Sequence, residues 1–322
     1  MQHRRHSWLV CLFLTIILSS CYLRPSTSSV ESSTARFIQS RTVSPEDMVY
    51  LSFADTTYSY DFGFEYWDIL SEQGKMFYDA MWNFKFKPRE AYQSNLYHYS
   101  PANTFDLATY LEVQKLLYLD HPEKELESLW NMSFSFYSGE EDYCNWGLCS
   151  LIEEKEYVSM MTRINLEISN LVYKVKKEPI KREKYQLIHD WIIANVKYDY
   201  EYYQNCLSPE TKQFLNPESA NIYGAIVNKL AVCDGISDAF KYICNQCHLE
   251  CISVGGYFPN PNLDDSISLG HQWNLVYDQK WYLVDCTFDL DSDPSLKYFM
   301  VDMHIDNRIS NYPLEDYLKK DS

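Results

Sequence analysis

Between Ala231 and Phe288 the spacing of apolar residues changes from helical to strand-like, and this limits the folds open to the chain. Ile236, Ala239, Phe240 and Ile243 keep the i, i+3, i+4, i+7 spacing of a helix that buries one face. Three β-like runs follow at once, "ECISVGGYF", "HQWNLVYD" and "KWYLVDCTF". The last two flank a short polar turn around Asp278–Lys280 and read as a hairpin. Side chains alternate faces along a strand, and His271 and Asp285 are both odd-numbered. An odd-length loop around Asp278 therefore sets the two on one face, opposite or nearly opposite each other. A carboxylate placed so can hold one imidazole nitrogen while the other points away.

The helix opens within "AVCDGISDAFKYICNQCHLEC", which contains Cys233, Cys244, Cys247, Cys251 and His248. Spacing alone allows a nucleophilic thiol, a metal cluster, a haem attachment site or ordinary packing. Cys233 falls in the first helical turn, where unpaired N–H groups and the helix dipole favour a thiolate; the alternative is a small buried hydrophobe. "CNQCH" (Cys244–His248) satisfies the haem-attachment pattern. Cys244 and Cys247, however, occupy the last turn of the helix, and Cys251 begins the next strand. Zinc or an iron–sulfur cluster would need a second cysteine pair at ligand spacing, and none is present. Packing is the expectation for these three cysteines, and chemistry for Cys233. A thiol at a helix start, then a histidine, then an acid on the neighbouring strand is what nucleophilic acyl transfer needs.

The blocks "IHDWIIANVKYD", "AVCDGISDAF" and "GHQWNLVYDQKWYLVDCTFD" resemble the transglutaminase-like superfamily in its bacterial secreted branch. The similarity runs from about Glu156 to Asp302 and includes "KYFMVD" (Lys297–Asp302). It implies an α+β, papain-like core, with the cysteine helix packed on an antiparallel sheet. By the same resemblance Cys233 matches the nucleophile, His271 the base and Asp285 the orienting acid. Two departures are visible: Ile236 follows Gly235 where relatives often carry an aromatic residue, and "HQW" replaces the common "HAW". The Cys233 N–H is a natural oxyanion donor, and Tyr198 and Tyr223 are further candidates. The implied activity is thiol-dependent acyl transfer or hydrolysis on protein or peptide amides. The alternatives are a cysteine peptidase, or a binding or scaffold domain that keeps the fold. No cofactor or metal is expected, because thiol attack needs only the base and the oxyanion donors. Loss of Asp285 should then appear mainly in the rate.

Upstream, Arg4 and Arg5 precede the apolar run Leu9–Leu18 and then Ser19, Ser20 and Cys21. This reads as an export leader over residues 1–20, too short for a comfortable membrane span. "LSSC" resembles the bacterial lipobox, so the expectation is lipid at Cys21; ordinary cleavage nearby is the alternative. Residues 21–45, with "RPSTSSVESSTAR", read as a flexible tether. The chain is then exported, lipid-anchored to the cell envelope or secreted. Removing residues 1–20 takes the formal charge from −17 to −19, since they carry Arg4 and Arg5 and no acid. So acidic a surface argues against nucleic acid as a partner.

Residues 46–155 read as an aromatic-rich, mainly helical region. Leu70, Phe77, Met81 and Phe84 mark one helix there, and Leu107 to Leu117 a second that Pro122 stops. "SLWNMSFSFYSG" alternates like a strand, and "CNWGLC" offers a short loop for a Cys144–Cys149 disulfide. Residues 156–315 form the catalytic unit in this reading. It begins with two amphipathic helices, one on Ile164, Ile168, Leu171, Val172 and Val175, the other on Ile188, Trp191, Ile192 and Val196. His189 lies beside the second face as a packing or surface residue. "IYGAIVNKLAV" reads as a third helical segment. The loop Phe258–Gly270, acidic at Asp264 and Asp265, leads into His271.

Overall fold

The computed structural model describes residues 65–84, 86, 94–99, 107–127, 129–138, 141–150, 152–207, 217–258, 270–291, 297–305, 307–314 and 318. The expected leader, the tether with Cys21, and residues 259–269 of the loop before His271 lie outside them.

Helix α1 (Glu72–Trp82) starts at Ser71, whose hydroxyl accepts from the Gly74 N–H at 3.1 Å. Helix α2 (Leu107–Asp120) stops short of Pro122 and gives way to a 3-10 turn, Pro122–Glu127. Strands β1 (Ser94–Tyr99), β2 (Leu129–Ser138) and β3 (Glu141–Ser150) form an antiparallel sheet in the order β1-β3-β2. Strand β2 is the run read from alternation; β1 and β3 were not expected. Cys144 and Cys149 both sit on β3, not on a loop. Five steps of extended backbone separate their Cα atoms by about 16 Å, whereas a disulfide needs less than about 7 Å.

Helix α3 (Glu154–Lys177) buries Ile164, Ile168, Leu171 and Val175, one stripe at helical spacing. Glu154 and Glu156 in its first turn and Lys174, Lys176 and Lys177 in its last complement the helix dipole. Helix α4 (Lys181–Asn195) buries Tyr185, Ile188, His189 and Ile192. There follow β4 (Lys197–Tyr198) and α5 (Tyr200–Leu207). The expected third helical segment is a π-helical turn, Gly224–Asn228, ended by Lys229 at φ 59. Parallel pairing of β5 (Leu230–Ala231) with β4 then draws the chain out of helix just ahead of Cys233.

Helix α6 (Cys233–Gln246) is the centre of the molecule: every residue from Cys233 to Cys244 is buried. It lies on a five-stranded antiparallel sheet, order β10-β6-β7-β8-β9. These strands are β6 (Cys251–Tyr257), β7 (Gly270–Asp278), β8 (Lys280–Val284), β9 (Phe299–Val301) and β10 (Ile309–Ser310). The short helix α7 (Cys286–Asp291) follows β8. The hairpin turns on Gln279 at φ 65, with Asp278 opposite Lys280.

Both sheet faces are covered, so alternate residues enter different cores. Val276 and Val284 join α3, α4 and α6 in the main core. Ile252, Val254, Trp273, Leu275 and Leu283 meet Tyr66, Leu116, Leu119 and Leu314 on the other face. The α6 face of the sheet is fastened by polar contacts. Asn274 Nδ2 donates to Ser237 O at 3.1 Å, Gln272 Nε2 to Asp238 Oδ1 at 2.5 Å, and Lys241 Nζ to Cys251 O at 2.6 Å. This is the α+β arrangement expected from the sequence, a cysteine helix on an antiparallel sheet preceded by helices.

Candidate active site

Cys233 is the first residue of α6 and is 4% exposed. His271 is the second residue of β7, and Asp285 sits between the end of β8 and the start of α7. The β7–β8 register starts at Asn274 opposite Val284, so Asp285 lies diagonally from His271 on the same face. His271 Nε2 meets Asp285 Oδ2 at 2.7 Å, and both side chains are buried. An ionised carboxylate only accepts, so Nε2 carries the proton and Nδ1 is left as the acceptor.

The thiol arrives at the same end of β7. The Gln272 N–H, one peptide beyond His271, is hydrogen-bonded to the Cys233 sulfur. Cys233 Sγ itself donates to Asp234 Oδ1 at 3.4 Å. Among the described residues no hydrogen bond joins Cys233 to His271, whose ring stacks on Trp273 while Gln272 and Asn274 face α6. Burial and then the Asp234 charge push the Cys233 thiol well above its ordinary range, and the Gln272 N–H offsets only part of this. The thiolate expected from the helix terminus is therefore not the resting form. A dipole at the first turn is a small effect beside complete desolvation and a neighbouring carboxylate.

Asp285 does more than hold His271. Its Oδ1 accepts from the Phe288 N–H at 3.1 Å and its carbonyl from the Asp289 N–H at 3.2 Å, so it starts α7. Its Oδ2 also accepts from Arg308 Nη1 at 2.9 Å. Burial alone would raise this carboxyl; the His271 pair, Arg308 and the Phe288 N–H together hold it below its ordinary value. Arg308 was missed in the sequence, although it is the only Lys or Arg between Lys297 and Lys319. Aromatic rings enclose the pair: His271 stacks on Phe288 at 4.8 Å and on Trp273 at 6.0 Å.

The remaining candidates separate. The Tyr223 hydroxyl oxygen accepts from Arg163 Nη1, and its ring lies under that guanidinium. Tyr198 on β4 pairs with Ala231, two residues ahead of Cys233, which brings its backbone close to the thiol's end of α6. His189 is a buried packing residue with polar partners, Nε2 on Asp289 Oδ2 at 2.9 Å and Nδ1 on Asp190 Oδ1 at 3.0 Å. Cys244 and Cys247 face the main core while His248 stands exposed at φ 55, so the three do not share an accessible surface. Among the described residues, no three His, Cys, Asp or Glu side chains converge as metal ligands.

Residues 169–286 match the family model for the transglutaminase-like superfamily. This segment of the chain is thus similar to the transglutaminase-like superfamily. The segment runs from α3 through Cys233, His271 and Asp285 and stops at the first residue of α7. A curated protein to which the chain is similar is the kyphoscoliosis peptidase of Mus musculus, 25% identical over 136 residues. That alignment takes in 41% of this chain and only 19% of the mouse protein. Two solved structures overlap loosely. One, a TGase, has 12% identity and a TM-score of 0.35 over 69% of this chain and 59% of its own. The other, a candidate cysteine protease from Cytophaga hutchinsonii, has 14% identity and a TM-score of 0.26 over 50% of this chain and 64% of its own.

Proposed function

We propose that the protein is a thiol enzyme acting on protein or peptide amides, with Cys233 as nucleophile, His271 as base and Asp285 as orienting acid. The observation that carries this reading is the buried His271–Asp285 pair set one peptide from the Cys233 sulfur. The cycle starts from a neutral thiol that must leave Asp234 and turn its proton to His271 Nδ1. The sulfur electron pair then attacks the amide carbonyl carbon, and the carbonyl π pair moves to oxygen. The N–H of Cys233, at the first turn of α6, is oriented to receive that oxyanion. Collapse breaks the C–N bond, and the imidazolium returns its proton to the leaving amine. Water or a second amine then attacks the thioester with His271 again as base. Asp285 stabilises the imidazolium in each step.

The mouse relative's name is that of a peptidase, which supports backbone amide cleavage as one form of this chemistry. A second reading, a binding domain that keeps the fold, is favoured by the near-complete burial of Cys233. We place the protein outside the cytoplasm, lipid-anchored through Cys21 or secreted, from residues 1–45 alone. Iodoacetamide labelling, located by peptide mass spectrometry, tests the enzyme reading. Modification of Cys233 that disappears in His271→Ala supports it; a Cys233 inert in the folded wild-type protein, across pH 6 to 9, refutes it. A peptide pool treated with the enzyme then separates loss of ammonia, amine adducts and backbone cleavage.

A further inference from the structure

The C-terminal segment puts a guanidinium behind the acid of the pair. Strand β10 adds to the edge of the sheet by only Ile309 opposite Tyr257 and Ser310 opposite Gly256. Gly256 makes that approach possible: a Cβ there would stand 2.1 Å from the Ile309 carbonyl oxygen and 2.4 Å from the Trp273 ring. Gly256 is also the partner of His271 across β6 and β7. Arg308, the residue ahead of β10, is thereby carried over the strand end that holds His271.

Its environment there is specific. Nη1 lies 2.9 Å from Asp285 Oδ2, the same oxygen that His271 Nε2 meets at 2.7 Å. The guanidinium carbon is 5.0 to 5.7 Å from the rings of Trp273, Phe258, Phe288 and Tyr298. Its side chain is 2% exposed and that of Asp285 is 0%. A planar, weakly hydrated cation fits such a box where an ammonium would not stack.

We infer that Arg308 is a positioning residue for the reaction proposed above: by sharing the Asp285 oxygen with His271, it sets how strongly that carboxylate favours a charged imidazole. The physical reason is competition at one atom. A buried carboxylate with a single partner stabilises an imidazolium fully, and a base that rests protonated cannot take the thiol proton. A second cation on the same oxygen takes part of that charge, so His271 can rest neutral and still be stabilised once it is protonated. Among the described residues, the other titratable and charged groups around the pair are Cys233 and Asp234 on α6, Cys286 and Asp289 on α7, and Tyr298 ahead of β9. None of these is a cation, and Arg308 alone among them can act in this sense.

The inference rests on the thiol-enzyme reading for its purpose, but its test does not need turnover. In the full chain, the His271 ring proton is assigned by its loss in His271→Ala and titrated by NMR in wild type, Arg308→Met and Arg308→Lys. Arg308→Met is expected to move the ring's titration midpoint upward by about one pH unit or more. Arg308→Lys, which keeps a cation but not the fork, should move it by less than half as much. The pH profile of Cys233 alkylation should shift with the ring. An unchanged or lowered midpoint in folded Arg308→Met overturns the inference, even if Cys233 proves to be a nucleophile. So does an equal shift in both variants, or failure of both to fold, which would assign Arg308 to the architecture alone. A Cys233 that never reacts would instead refute the thiol-enzyme reading and leave the ring titration to judge Arg308.

Discussion

A single aspartate, Asp285, serves His271, Arg308 and the start of α7 at once. The expectation that its loss shows mainly in the rate therefore needs the right substitution. Asp285→Ala leaves Arg308 buried without its carboxylate, and we expect it to destabilise the fold by about 3 kcal/mol. Asp285→Asn keeps the shape and the amide-accepting oxygen, so it should lower Cys233 reactivity more than it lowers the melting temperature. Paired rate and melting measurements on the two variants check this. Asp234 has the opposite effect on the thiol, since its charge and its hydrogen bond both raise Cys233. Asp234→Asn should increase iodoacetamide labelling of Cys233 at neutral pH, by up to about tenfold. At this scale the contact of His271 with Asp285 was legible because strand parity set both on one face. The resting charge of the thiol was not, because it is set by burial and by the orientation of Asp234. Arg308 was hidden by its position in a two-residue strand, too short to leave any periodicity.

Helices α3, α4 and α6 and the β7–β8 hairpin were readable because their apolar residues keep helical spacing or alternate over several residues, although α6 is buried all round from Cys233 to Cys244. The π turn before Cys233 was not, because pairing of β5 with β4 overrides the local helical pattern there. Strands β1 and β3 escaped for a related reason: neither alternates cleanly, and each is fixed by pairing across the sheet. One element junction has a readable pH response. At the end of α2, buried His121 lies 3.1 Å from Glu65 and 3.6 Å from Glu123. Burial alone would lower its pKa, but these two acids win and raise it to about 9. A histidine raised on folding contributes stability that is fully present below its unfolded value, about 6.5, and is lost as pH rises through 9. We expect on the order of 3 kcal/mol to disappear across that window. Thermal melts from pH 6 to 9.5 should show the decline in wild type and a flatter curve in His121→Gln.

The matched family segment is not a self-sufficient body. One face of its sheet is closed by Tyr66, Leu116 and Leu119 from the N-terminal region and by Leu314 near the other end. Tyr66 donates its hydroxyl to Ser253 O at 2.8 Å, and Asn245 Nδ2 donates to Asp120 O at 3.0 Å, across the same junction. A chain beginning at Glu154 would expose Ile252, Val254, Trp273 and Leu275, and should bind a hydrophobic dye and melt without a cooperative transition. A sharp melt from that shortened chain would contradict the interlocked core. No sequence pattern announced this junction, since the contacts pair residues more than a hundred positions apart and each helix looks complete alone. The edge strand β10 also has a bearing on how the molecule is made. Synthesis runs from the N-terminus, so Cys233, His271 and Asp285 all leave the ribosome before Arg308 does. Only when the segment around Arg308 has docked does the Asp285 carboxylate gain its cation, and a nascent chain, or one cut ahead of Arg308, carries Cys233, His271 and Asp285 without the residue that balances them.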